Sequence, residues 1–72
     1  MKPHQERVIQ EHTELEGRTN KLRDFILFGV TKYNIYVPDD EIRRLGMQLN
    51  AMELYLAILE DRIKNFPVEP ST

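Results

Sequence analysis

A chain of 72 residues with no cysteine has room for one small domain, with neither a disulfide nor a cysteine-based metal site to staple it. Its 10 basic and 12 acidic residues leave a net charge of −2, which argues against general electrostatic binding to DNA or to an anionic membrane. Packing alone must stabilise it, and small proteins of this kind often gain what one core lacks by associating.

The first element is expected over residues 3–28. Pro3 suits a first helical turn, and no further proline interrupts the stretch. Val8, Leu15 and Leu22 recur every seven residues, with Ile26 continuing the stripe and His12 and Thr19 between them. Gly17 costs the helix about 1 kcal/mol relative to alanine, which is tolerable where another backbone approaches closely. Beside the apolar stripe runs a charged one, Arg7, Glu11, Glu14, Arg18 and Lys21. Its i,i+4 pairs Arg7 with Glu11 and Glu14 with Arg18 read as a solvated, ion-paired flank.

A connection is expected over residues 29–37, "GVTKYNIYV", unusually apolar and aromatic for a loop. Tyr33, Ile35 and Tyr36 either cap the end of the hairpin or contact a partner or ligand.

The second helix is expected over residues 38–66. Pro38 fixes φ for a first turn, and Asp39, Asp40 and Glu41 sit where the helix dipole favours acids. Ile42, Leu45, Leu49, Met52, Leu56, Leu59 and Ile63 then follow the 3-4 spacing of a coiled-coil seam. Phe66-Pro67 ends the helix, and residues 67–72 form a short tail. The fold class is therefore all-α: an antiparallel two-helix hairpin, one domain over residues 1–66.

The second helix carries another apolar stripe, Met47, Ala51, Leu54 and Ile58. Residues 52 and 54, like 56 and 58, are about 200° apart around a helix of 3.6 residues per turn, so one helix cannot cover both stripes. A contiguous exposed apolar face marks an interface, and a homo-oligomer built through this helix is expected. The alternative is that helix 1 and the aromatic connection wrap both faces. Gln48, Tyr55 and Arg62, at seven-residue intervals, flank the core.

Chemistry-bearing motifs are sparse. His4 and His12 are eight residues apart, with no His-x-x-x-His pair and no HExxH, so no metal site is expected. A glycine-rich phosphate loop, a nucleophile elbow and a buried acid/base pair are all missing from the sequence, so no catalytic residues, cofactor or enzymatic activity are expected. The apolar runs 25–30 and 54–59 are too short to span a bilayer, and MKPHQERV lacks the apolar centre of a signal peptide. A soluble, cytosolic protein is expected. Arg7 and Lys21 are fourteen residues apart, or ~21 Å along one helix, and Arg62 should lie level with Arg7. These cations do not converge on one small ligand within a single hairpin. They belong to separate sites, or neighbouring copies bring them together.

The segments "RVIQEHTEL" (Arg7, Val8, Glu11, Leu15), "KLRDFI" (Lys21, Leu22, Phe25, Ile26) and "QLNAMELYLAILEDRI" (Gln48, Leu49, Met52, Tyr55, Leu59, Arg62) give the chain, over about residues 4 to 64, the look of a known family. It resembles the helical-hairpin domain shared by phage anti-CBASS and anti-Thoeris sponges. The resemblance implies a non-catalytic bacteriophage protein acting in the cytoplasm of the infected bacterial host. Such proteins form homo-oligomers, commonly hexamers, and trap cyclic dinucleotides, cyclic trinucleotides or cyclic ADP-ribose isomers between protomers. It carries over Lys21 and Arg62 as phosphate contacts, Arg7 as a further one, and puts His4 where many relatives have an aromatic or polar residue. The connection at 29–37 and Gly17 depart from the family pattern.

Two other classes compete with this reading. One is a structural or regulatory coiled-coil adaptor whose second apolar face docks another protein's helix. The other is a small RNA-binding hairpin, which the acidic net charge disfavours.

Overall fold

The computed structural model describes residues 2–33 and 36–67, the side chains of 30–33 aside. Two helices account for nearly all of it, α1 (Pro3–Tyr33) and α2 (Asp39–Lys64), packed on each other as an antiparallel hairpin.

Helix α1 begins as its sequence dictates. The Lys2 carbonyl accepts from the N–H groups of Gln5 (3.0 Å) and Glu6 (3.1 Å), while the Gln5 Oε1 accepts from the Lys2 N–H at 3.2 Å. This is the glutamine half of a capping box, and it leaves Gln5 buried. The helix then runs to Tyr33, five residues beyond the expected end at 28. Gly29 does not stop it. A Cβ there would stand 3.0 Å from the Phe25 Cδ2, so the glycine lets the Phe25 ring lie across the helix's own next turn. With no proline between Pro3 and Pro38, one glycine is too weak a breaker. The expected connection is accordingly shorter.

Helix α2 starts after Pro38, which serves as N-cap and not as first helical residue; its carbonyl accepts from Glu41 and Ile42 at 3.0 Å each. Arg44 gathers the first-turn acids, 3.1 Å from Asp40 and 3.4 Å from Glu41. The helix ends at Lys64, two residues before the expected limit. Pro67 disfavours α geometry at Phe66, and the Asn65 side chain donates to the Asp61 carbonyl at 2.8 Å.

The two heptad stripes meet as expected. Val8, Leu15 and Leu59 are buried, with Met52, Leu56, Ile63 and Phe66 packed against them. Thr19 is fully buried in the same stripe, its hydroxyl donating to the Leu15 carbonyl at 2.7 Å. That back-bond satisfies the polar atom locally, so the side chain packs like valine.

The second stripe of α2 is left in solvent. Met47 and Leu54 are each 65% exposed and Ile58 49%, with Ala51 exposed between them. Helix α1 does not wrap both faces. Each large aliphatic side chain left out forgoes a good part of the roughly 1.5–3 kcal/mol that full burial supplies. Tyr36 is 85% exposed and caps nothing, while the side chains of Tyr33 and Ile35 lie outside the described residues. Nothing lies within 4 Å of a Cβ built on Gly17, so no backbone of this chain approaches it.

Candidate ligand-binding site

Two contacts between the helices define one long edge of the hairpin. His12 Nε2 stands 3.2 Å from Glu60 Oε1, and the Arg23 guanidinium 3.6 Å from the Glu53 carboxylate. At about 100° per residue, these four side chains project to the same side of the seam. Helix geometry then places Arg7, Glu11, Glu14 and Arg18 of α1, and Ala51, Tyr55, Ile58 and Arg62 of α2, on the opposite edge. One edge is ion-paired across the helices. The other sets exposed cations beside the exposed apolar stripe.

The same contacts fix levels along the hairpin. With His12 opposite Glu60, Arg62 lies level with about residue 10, ~5 Å along the axis from Arg7 and ~16 Å from Lys21. The structure therefore brings Arg7 and Arg62 to one end of one edge and keeps Lys21 apart. His4 is exposed one turn before Arg7. Arg7, Lys21 and Arg62 are all exposed, and among the described residues none of the three has an ion-pair partner. The expected pair of Arg7 with Glu11 does not form within 4.0 Å, whereas Glu14 and Arg18 stand 3.9 Å apart.

Lys21 lies in a shallow depression on α1, with Thr13, Glu14, Gly17 and Arg18 around it. The missing side chain of Gly17 opens its floor. Glu14 accepts from Gln10 Nε2 at 3.1 Å, and the Arg18 Nε donates to the Glu14 carbonyl at 3.4 Å, so Arg18 is held back on its own turn. Sequence reading missed this depression because it treated Gly17 only as a helix cost. The 4-4 spacing of Thr13, Gly17 and Lys21 on one helix face was the available signal.

A second cluster lies on the ion-paired edge. Donor atoms of His12, Glu16 and Glu60 come within 4.8 Å of one another, beside a depression lined by Ile9, Ile63 and Lys64. Linear spacing hides it, since Glu60 belongs to the other helix. Both carboxylates are exposed and His12 already engages Glu60, an arrangement that suffices for an ion-paired rim.

Chemically, the cation-bearing edge suits an anion that also offers a flat or apolar surface. Guanidinium and ammonium groups form charge-assisted bonds to phosphate, and Tyr55 supplies an aromatic ring 42% exposed. No helix among the described residues is long and apolar enough to cross a membrane. Comparisons with curated proteins and with solved structures gave no match. A family comparison did, over residues 2–65, nearly the whole hairpin with Arg7, Lys21 and Arg62 included, and the chain belongs to the Sequestin family.

Proposed function

We propose that this protein is a non-enzymatic phage protein that binds and sequesters the cyclic oligonucleotide messengers of bacterial anti-phage signalling. Cyclic di- and trinucleotides are the ligands in this reading, with cyclic ADP-ribose isomers as a further class. The protein acts in the cytoplasm of the infected cell as a homo-oligomer, a hexamer by the resemblance above. The family name supports sequestration as the task. The observation that carries the reading is the placement of Arg7, Lys21 and Arg62: exposed, without ion-pair partners among the described residues, and with Lys21 too far from the other two to share one small ligand. Such cations complete a phosphate site when a second copy brings its own set alongside, and Arg62 borders the apolar stripe that such a copy would cover. A sponge needs tight binding and no bond-breaking group.

The test is calorimetric titration of cyclic dinucleotides, cyclic trinucleotides and cyclic ADP-ribose isomers into the protein, with its mass measured by light scattering. One ligand class should bind tightly, and Lys21→Ala or Arg62→Ala should abolish that binding with the mass unchanged. Unchanged affinity in both variants would sink the site assignment. The exposed stripe of α2 also suits the adaptor reading, which takes the lead if the protein is monomeric and binds none of these ligands.

A further inference from the structure

The exposed stripe of α2 has a symmetry of its own. Met47, Ala51, Leu54 and Ile58 are spaced 4-3-4, so the spacing is the same read from either end about a midpoint between Met52 and Glu53. A second α2 laid antiparallel on the first matches it stripe to stripe. We propose that α2 pairs with α2 of a second copy in this two-fold register, Met47 against the partner's Ile58 and Ala51 against the partner's Leu54. This specifies the assembly contact of the preceding reading, on which it rests only for the existence of an oligomer and not for any ligand.

Side chains at the rim decide between this register and its alternatives. Helix geometry places Arg43 and Asp61 on the same flank of the stripe, and the antiparallel pairing brings Arg43 level with the partner's Asp61, twice by symmetry. On the other flank Arg62 comes level with the partner's Arg44. That is no bare repulsion, because Arg44 is already held at 3.1 Å by Asp40 and 3.4 Å by Glu41. Ala51 at the centre, with no bulk beyond its methyl group, lets the two helices approach closely. A parallel pairing would instead set one flank against the other, Arg43 beside the partner's Arg44 and Asp61 beside the partner's Arg62. A two-fold contact of this kind is self-complementary and closes, and a hexamer of dihedral symmetry is built from such pairs.

The experiment is a charge exchange with cysteine mapping, without ligand. Arg43→Glu should weaken self-association by about tenfold or more, since it faces the partner's Asp61 with a like charge. Arg43→Glu combined with Asp61→Arg should restore it. The two positions are eighteen residues, ~27 Å, apart on one helix, so rescue is possible only between copies. In this cysteine-free chain, Met47→Cys/Ile58→Cys should oxidise to a covalent dimer, and either single substitution should not, because like positions then lie ~16 Å apart. A monomer by light scattering, an oligomer that the charge exchange fails to rescue, or a dimer cross-linked through Met47→Cys alone would each overturn the pairing. Only the monomer would also count against the oligomeric reading; the other two would leave sequestration standing.

Discussion

His12 Nε2 and Glu60 Oε1 stand 3.2 Å apart across the hairpin, and this contact sits directly beside Leu59, whose side chain is fully buried. The neighbours differ in what they do. His12 is 20% and Glu60 57% exposed, so water screens the pair, and exposed pairs contribute only about 0.2–1 kcal/mol. Leu59 anchors the apolar cluster. Glu60→Gln should therefore lower the unfolding free energy by under about 1 kcal/mol. Leu59→Ala should cost about 2–5 kcal/mol. Urea denaturation followed by circular dichroism separates the two; equal losses would mean that the His12–Glu60 contact, not the seam, holds the helices.

Gly17 offers a gain in stability and a loss of function in one substitution. Its Cβ would meet nothing within 4 Å, and a helical glycine replaced by alanine gains up to about 1 kcal/mol. Gly17→Ala should raise the thermal midpoint of the free protein. Gly17→Leu should fill the depression around Lys21 and weaken ligand binding with the fold intact. A lower midpoint for the alanine variant would show that something approaches Gly17 in the assembled protein.

Glu14 opposes an anion in that depression. It stands 3.9 Å from Arg18 and accepts from Gln10, so its carboxylate offsets the charge Lys21 presents. Glu14→Gln should strengthen binding of a phosphate-bearing ligand several-fold, and the affinity of the native protein should fall as salt rises, as ion-pair contacts require. An affinity indifferent to both changes would place the phosphates elsewhere.

The hairpin was legible because its seams are written in the heptad positions of both helices, from Val8 to Ile26 and from Ile42 to Ile63, and burial follows them. The exposure of Met47, Leu54 and Ile58 was equally readable, since residues 200° apart cannot share one partner helix. The end of α1 was not. Gly29 looks like a stop in sequence, yet it accommodates the Phe25 ring, a tertiary detail that propensity does not contain. Of the candidate site, the sequence held the residues but not their division: which cations share an edge depends on the register set by His12 and Glu60.

Thr19 shows how a polar residue can be apolar in effect. It has no exposed surface, and its hydroxyl donates at 2.7 Å to the Leu15 carbonyl, a bond made within one turn of its own helix. Removing the hydroxyl while keeping the shape leaves no orphaned partner, because the Leu15 carbonyl still accepts from the Thr19 backbone in the helical ladder. Thr19→Val should therefore change stability by no more than about 1 kcal/mol in either direction. Thr19→Ser keeps the hydroxyl and deletes the methyl group that packs in the seam, for a loss of about 1 kcal/mol. The ordering is the informative result, read from denaturation midpoints of the two variants against the native protein. A valine variant much weaker than the serine variant would mean that the hydroxyl, and not the methyl group, is what this seam position requires.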